Sequence, residues 1–175
     1  MNLPNKLTVV RVLLVPIFML FLLSETLRST NIALFIFIIA SITDFLDGYI
    51  ARSQNLVTKF GKFMDPLADK LLVCSALICL QYLDKISPWF VMIIIAREFA
   101  ITGFRILAAS DGITIAASNW GKLKTNSQML AIIVLLLGKF TAIELPLVLL
   151  AVALTIISGI DYIVKNKQVF AGSKL

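Results

Sequence analysis

The sequence predicts an all-α integral membrane protein with six transmembrane helices. Hydrophobic residues make up 59% of its 175 residues, charged residues make up only 15%, and the mean hydropathy is +0.97. The apolar residues are gathered in long runs, and the polar segments between these runs are too short to form a soluble domain. We therefore expect a single membrane-embedded domain that covers residues 1–175.

Six apolar runs define the predicted helices in chain order. They cover residues 7–23, 32–51, 67–83, 88–108, 129–140 with its upstream flank, and 145–164. The first run is expected to stay as a helix rather than be removed as a signal peptide, because no small-residue cleavage site follows it. The fifth run is short, so Lys122, Lys124 and Gln128 must lie where its helix enters the membrane. An even number of spans places both termini on the same side.

The basic residues predict which side that is. All but three of the 16 Lys and Arg residues fall at the termini or around the connections that follow the second and fourth runs; the exceptions are Arg28, Lys85 and Lys139. Cytoplasmic segments of membrane proteins carry an excess of Lys and Arg, so both termini are predicted to face the cytoplasm in a multi-pass protein of the cell membrane. The net charge of +6 then indicates contact with anionic lipid and substrate phosphates rather than with nucleic acid.

Four aspartates are concentrated in one short part of this apolar chain, at Asp44, Asp47, Asp65 and Asp69. The first two are three residues apart and the last two are four apart, so each pair projects from one face of a helix. Two facing pairs would form one cage of four carboxylates, which stay ionised together only if cations lie among them. Oxygen ligands favour Mg²⁺, Mn²⁺ or Ca²⁺, and paired Mg²⁺ or Mn²⁺ ions are suited to phosphoryl transfer. The spacing therefore predicts metal-assisted phosphoryl chemistry, and the distribution of Lys and Arg predicts that this active site faces the cytoplasm.

At these positions the chain resembles a known family. A DxxDGxxAR segment is followed after eight residues by GxxxDxxxD, and together they match the signature of the CDP-alcohol phosphatidyltransferases. The matching residues are Asp44, Asp47, Gly48, Ala51, Arg52, Gly61, Asp65 and Asp69. Members of this family form phospholipids by displacing CMP. The resemblance implies a helical membrane bundle of the family's type and two divalent cations, Mg²⁺ or Mn²⁺.

The same resemblance implies roles for the individual aspartates. Asp44, Asp47 and Asp65 would bind metal, while Asp69 would bind the second metal and also take the proton from the attacking hydroxyl. Asp65 and Asp69 are therefore the predicted catalytic residues. The chain contains no histidine, so an imidazole base cannot operate and a carboxylate must act as the base.

The remaining signature residues are the candidates for binding the CDP group. By resemblance to the family, Gly48, Ala51 and Gly61 would line the cytidine site. Close packing of helices through small residues is the alternative for Gly48, although the position four residues further on is Arg52 rather than a small residue. Arg52 is the candidate clamp on a CDP phosphate, because a guanidinium group can bind phosphate through two hydrogen bonds.

Two other interpretations of the aspartates stay open. They could form a structural ion-pair network with the neighbouring cations, which are Arg52, Lys59, Lys62 and Lys70. They could also line a cation or proton pathway through a small transporter. Release of CMP that depends on a divalent cation would distinguish the enzyme from both alternatives.

Basic residues outside the signature are the candidates for binding an anionic acceptor. Those near the cytoplasmic ends of the fourth and fifth predicted helices are Arg97, Arg105, Lys122 and Lys124. Arg97 interrupts an apolar run, and a cation at that depth needs an anion nearby. Adjacent helix positions point about 100° apart, so Glu98 is not expected to neutralise Arg97 easily. A bound phosphate is the favoured partner.

Further segments resemble the bacterial phosphatidylglycerophosphate synthases within this family, namely NLPNKLTVVRVLLVP, AREFAITGFR and WGKLKTNSQM. This resemblance implies CDP-diacylglycerol as the donor and sn-glycerol 3-phosphate as the acceptor. It also implies a homodimer formed through the third and fourth helices, which carry no small-residue seam that would predict it independently. Serine, inositol phosphate and phosphatidylglycerol are the alternative acceptors, of which serine has the least need for so many cationic side chains.

Overall fold

The computed structural model describes residues 3–53, 59–110 and 118–167. For positions 3–4, 45–53, 59–60, 62–63, 66 and 110 the description covers the backbone and not the side chains. The elements are α1 (Leu3–Leu23), α2 (Leu27–Ser53), α3 (Lys59–Tyr82), α4 (Pro88–Ser110), α5 (Asn119–Leu137) and α6 (Thr141–Lys165). Six helices and no strand occur in these ranges, which confirms the all-α prediction.

The helices extend beyond the apolar runs that predict them. α2 begins at Leu27 rather than at residue 32, α3 at Lys59 rather than at 67, and α5 at Asn119 rather than at 129. Apolar composition marks only the part of a helix that avoids water, whereas backbone hydrogen bonds continue through polar residues until a cap or a turn ends them. The polar flanks that carry much of the candidate site are therefore helical as well.

Side-chain caps explain two of these helix starts. At α2 the Thr26 N–H donates to Ser29 Oγ at 3.1 Å, and the Ser29 N–H donates to Thr26 Oγ1 at 3.2 Å. This reciprocal pair has the arrangement of a capping box. Before α5, Ser118 Oγ accepts a 3.1 Å hydrogen bond from the Gly121 N–H, as an N-cap serine does.

Contacts divide the chain into two compact units. Unit 1 consists of Met1–Lys85 with Leu135–Lys139, and unit 2 consists of Ile86–Val134 with Phe140–Leu175. In unit 1, α1 packs against both α2 and α3. The rings of Phe18 and Phe37 meet there with their centroids 5.9 Å apart, and both side chains are fully buried. The helix α1 is thus the common neighbour of the two helices that carry the aspartates.

In unit 2, α4 packs against α6. The rings of Phe104 and Tyr162 meet edge to face, with centroids 5.9 Å apart, beside buried Ile101 and Ala108. Next to this contact Arg97 passes closely over Gly159, where an added Cβ would lie 3.3 Å from Arg97 Cγ. A larger residue at position 159 would therefore push the Arg97 side chain away from α6.

Membrane-spanning character is clearest in three helices of the described chain. The segments Asn5–Leu23, Leu27–Asp44 and Thr141–Lys165 are long and apolar enough to cross a membrane. In α3, α4 and α5 charged residues interrupt the apolar sequence, and several of these are the candidate site residues. The prediction of six helices is confirmed for the described residues, whereas six membrane crossings stay a prediction.

Candidate functional site

An acidic site lies in unit 1, where one face of α1 meets α2 and α3. Thr8 Oγ1 donates a 2.6 Å hydrogen bond to Asp65 Oδ1 on α3. Arg11 forms an ion pair with Asp44 on α2. Thr8 and Arg11 are three residues apart and both are fully buried, so they lie on the same face of α1. This face therefore holds one carboxylate from each half of the signature.

The burial of Arg11 requires an anion beside it. A guanidinium group withdrawn from water is strongly unfavourable unless it is paired, and Asp44 supplies that pairing. The Arg11 side chain has no exposed surface, while the Asp44 side chain is 36% exposed. The Arg11 side of the ion pair is thus buried, whereas the Asp44 side is partly exposed at the surface.

The other signature residues lie on the same two helices. Asp69 is half-buried on α3, one turn after Asp65, and Gly61 is buried near the start of that helix. The remaining four are on the C-terminal part of α2 and their side chains lie outside the described ones; they are Asp47, Gly48, Ala51 and Arg52. Among the described side chains, no group of three or more carboxylate, thiol or imidazole groups stands close enough to hold a metal ion. The four-carboxylate cage therefore stays a prediction.

The available donors have the chemistry that a hard divalent cation requires. The acidic site offers carboxylate oxygens from α2 and α3, which α1 draws to one face through Arg11 and Thr8. Oxygen ligands of this kind suit Mg²⁺ and Mn²⁺. The chemistry of these donors fits such an ion, and Asp47 is a predicted further ligand by its place in the signature.

A cationic cluster lies in unit 2 and joins α4, α5 and α6. The Glu98 carboxylate on α4 forms ion pairs with Lys124 on α5 and with its neighbour Arg97, whose Nη1 lies 3.2 Å from Glu98 Oε1. Arg97 Nη2 also donates to Ser158 Oγ on α6 at 3.1 Å. The side chains of Arg97, Glu98 and Lys124 are 15%, 14% and 4% exposed. The buried Lys124 and the largely buried Arg97 thus share the Glu98 carboxylate.

The contact between Arg97 and Glu98 corrects a prediction from the sequence. Adjacent helix positions point in different directions, and Glu98 was therefore not expected to neutralise Arg97 easily. The prediction was wrong because it considered only Cβ directions. Both side chains are long enough to bend toward each other, and Lys124 draws the carboxylate toward α5.

Apart from the carboxylate oxygens Glu144 Oε1 and Asp161 Oδ2, three buried polar groups of unit 2 lack a hydrogen-bond partner among the described residues: Arg97 Nε, Gln128 Nε2 and Tyr162 Oη. Tyr162 is one turn after Ser158 on α6, and Gln128 is one turn after Lys124 on α5. All three groups can donate hydrogen bonds, and a buried donor without an acceptor costs about 1–3 kcal/mol. These three donors would suit a guest rich in acceptor oxygens.

The four basic residues predicted to bind the acceptor are not equivalent. Arg97 and Lys124 come together at Glu98, whereas Arg105 and Lys122 are exposed. Lys122 is two residues from Lys124, so the two side chains leave α5 in different directions.

Several residues of these two sites were not singled out from the sequence. Thr8, Ser158 and Tyr162 stand in apolar helices without a recognisable motif, and Arg11 was considered only for membrane orientation. The available signal was their polarity, since a polar side chain inside an apolar helix usually has a specific partner. That signal does not reveal which partner it is.

Comparison with known proteins identifies the family. The model for the CDP-alcohol phosphatidyltransferases matches residues 1–157, and the chain belongs to this family. The CDP-diacylglycerol–glycerol-3-phosphate 3-phosphatidyltransferase of Bacillus subtilis (strain 168) is 46% identical over 183 residues, which cover 94% of this chain and 95% of that protein. The protein of the same name from Haemophilus influenzae is 40% identical over 182 residues, covering 99% and 96%. A probable phosphatidylglycerophosphate synthase of Mycobacterium tuberculosis (strain ATCC 25618 / H37Rv) is 38% identical over 177 residues, covering 98% and 84%.

Membership has consequences for location and chemistry. The family is membrane-bound, in agreement with the three helices that are apolar enough to cross a membrane. Its members are generally dependent on divalent metal ions, in agreement with the carboxylate donors of the acidic site. The resemblance seen in the signature residues is thereby confirmed.

Proposed function

We propose that this protein transfers the phosphatidyl group of CDP-diacylglycerol to sn-glycerol 3-phosphate. The products are phosphatidylglycerophosphate and CMP, and the reaction leads to phosphatidylglycerol and cardiolipin in phospholipid biosynthesis. The observation that carries the proposal is the similarity to relatives named for this reaction along almost the whole chain, with 46% identity to the Bacillus subtilis protein. The motif over Asp44 to Asp69 supports the same chemistry.

The reaction exchanges the phosphoanhydride bond of the CDP group for a phosphoester bond to the acceptor. A hydroxyl oxygen of glycerol 3-phosphate attacks the phosphorus of the phosphatidyl group, and the bond from that phosphorus to the CMP oxygen breaks. CMP leaves with the electron pair of the broken bond. By resemblance to the family we assign Asp69 as the base that accepts the hydroxyl proton, and a carboxylate base is consistent with a chain that has no histidine.

Asp44, Asp47, Asp65 and Asp69 are the proposed ligands of two divalent cations, Mg²⁺ or Mn²⁺. When bound, such ions neutralise the pyrophosphate and the charge that develops on the departing CMP. The contacts of Thr8 with Asp65 and of Arg11 with Asp44 support this assignment, because they hold carboxylates of both signature halves against one face of α1. Gly48, Ala51 and Gly61 are proposed to line the cytidine site, and Arg52 to bind a CDP phosphate.

The cationic cluster is proposed to bind the phosphate of the acceptor. Arg97 and Lys124 supply positive charge, and the unpartnered donors of Arg97, Gln128 and Tyr162 supply hydrogen bonds for phosphate oxygens. The same groups would be poorly matched to serine, which brings no phosphate. The exposed Arg105 and Lys122 are proposed to attract the anionic acceptor at longer range.

We further propose that all six helices cross the cell membrane, with both termini and the active site on the cytoplasmic side. The distribution of Lys and Arg supports this orientation. We also propose that the active species is a homodimer, which the resemblance to the family supports. A single domain over residues 1–175 belongs to the same proposal.

The proposed reaction is tested by CMP release from the purified protein in detergent, with CDP-diacylglycerol and Mg²⁺ or Mn²⁺. Glycerol 3-phosphate is expected to support release, whereas serine, inositol phosphate and phosphatidylglycerol are not. Selective release with another acceptor would keep the phosphatidyl transfer and overturn the acceptor. No release from folded protein with any acceptor would favour the ion-pathway alternative.

Replacing Tyr162 by Phe separates the acceptor proposal from a purely structural role of the tyrosine. Its hydroxyl is buried without a partner among the described residues, so its removal is expected to stabilise the substrate-free protein by about 1 kcal/mol. If the hydroxyl donates to the acceptor phosphate, the same change raises the KM for glycerol 3-phosphate about tenfold. Thermal unfolding and steady-state kinetics measure the two effects. A lower melting temperature with unchanged KM would contradict both expectations.

A further inference from the structure

A stripe of polar side chains runs along α1 and contacts the acidic site. Asn5, Thr8 and Arg11 are buried polar residues spaced three apart, so each lies next to the following one on the helix surface. Thr8 donates to Asp65 and Arg11 pairs with Asp44. We propose that Thr8 and Arg11 are positioning residues that hold the Asp65 and Asp44 carboxylates in the orientation that binds the divalent cations. This inference rests on the metal site proposed above.

The Thr8 hydroxyl is suited to this role. It is fully buried and its Oγ1 lies 2.6 Å from Asp65 Oδ1. A carboxylate has about four positions at which it can accept a hydrogen bond or a cation, so a single donor orients Asp65 and leaves it able to bind metal. A buried hydroxyl is costly to keep without a partner, and valine would fill nearly the same space in this apolar helix. The hydrogen bond to Asp65 is a contact that valine could not make.

Arg11 acts on the other half of the signature. Its planar guanidinium group presents donors in a fixed arrangement, and its contact with Asp44 limits the directions in which that carboxylate can point. Because Thr8 and Arg11 belong to one rigid helical turn, the separation between their two partners depends on α1. Both halves of the signature are thereby held by the same helix, α1.

Groups that orient metal ligands have a measurable signature. Loss of such a partner typically weakens metal affinity or activity 10- to 100-fold, even though the partner does not touch the metal. A residue that merely holds helices together would instead lower the melting temperature of the metal-free protein and leave the affinity for metal unchanged. The two roles are therefore separable by measuring both quantities on the same variant.

The test compares Thr8→Val with Thr8→Ser in the full chain purified in detergent. Valine keeps the shape and removes the hydroxyl, whereas serine keeps the hydroxyl. Binding of Mn²⁺ without substrate is measured from the loss of the electron paramagnetic resonance signal of free Mn²⁺, and the melting temperature is recorded with and without Mn²⁺. We expect Thr8→Val to weaken Mn²⁺ binding about 10- to 100-fold, with a smaller Mn²⁺-induced rise in melting temperature. Thr8→Ser is expected to stay within about threefold of the unchanged protein, since the donor is retained.

The outcomes distinguish this inference from the metal site itself. If the unchanged protein binds Mn²⁺ and Thr8→Val binds it equally well, the positioning role of Thr8 is overturned while the metal site stands. If the unchanged protein does not bind Mn²⁺, or if Asp65→Asn binds it as tightly, the metal site fails and the inference fails with it. Arg11→Lys, which keeps the charge and loses the planar fork, tests the second contact independently. Unchanged Mn²⁺ affinity in that variant would overturn the role of Arg11.

Discussion

Replacing Asp69 by Asn is expected to lower kcat about 10²- to 10⁴-fold, which is the range that a positioned general base contributes. The amide has nearly the same shape as the carboxylate but can neither accept the hydroxyl proton nor supply negative charge to a cation. Asp65→Asn is expected to lower turnover at least as strongly, since the stabilisation of charge in the transition state by metal amounts to several kcal/mol. CMP release at saturating substrate measures both effects.

The matched control for these variants is Asp84→Asn. Asp84 is exposed in the turn after α3 and has a φ of 55°, a left-handed conformation that asparagine adopts as readily as aspartate. Like the other two variants, Asp84→Asn replaces a carboxylate by an amide, but it does so outside the signature. We expect normal turnover for Asp84→Asn and normal melting temperatures for all three variants. Full activity in folded Asp65→Asn or Asp69→Asn protein would contradict the assignment of the metal site.

The sequence was sufficient to predict the helices and to predict that Asp65 and Asp69 share one helix. Long apolar runs indicate helices directly, because a chain in lipid must satisfy its backbone hydrogen bonds within each segment. The signature spacing indicates which aspartates share a helix face, because residues three and four apart are neighbours on any helix. Both inferences depend only on local geometry, and the structure has Asp65 and Asp69 one turn apart on α3 as expected.

Contacts between helices could not be predicted from local helix geometry. The bond from Thr8 to Asp65 joins residues 57 positions apart, and the bond from Arg97 to Ser158 joins residues 61 positions apart. No spacing in the sequence predicts either pair, because each contact depends on how two helices pack. Lys124 could be proposed as an acceptor ligand from its charge, but its pairing with Glu98 follows from the packing of unit 2.

Replacing Lys124 by Met is expected to raise the KM for glycerol 3-phosphate about 10- to 100-fold, with little change in the KM for CDP-diacylglycerol. Methionine keeps the long unbranched side chain and removes the positive charge of Lys124. Loss of a charge-assisted hydrogen bond to the acceptor phosphate costs about 1.5–3 kcal/mol, which corresponds to this change in KM. The change also takes one cation away from Glu98, which strengthens its attraction for Arg97 and draws the guanidinium away from the acceptor.

Lys122→Met is the matched control, because it makes the same change two residues away on α5 at an exposed side chain. Lys122 acts on the acceptor only through solvent, so we expect a change in KM of about threefold or less that disappears as salt is added. The effect of Lys124→Met should persist at high salt, since its side chain is 4% exposed and is poorly screened. Equal effects of Lys124→Met on both substrates would contradict a role in binding the acceptor, because a ligand of its phosphate must discriminate between the two. An equally large effect of Lys122→Met would place the acceptor on the exposed face of α5 instead of in the cluster around Glu98.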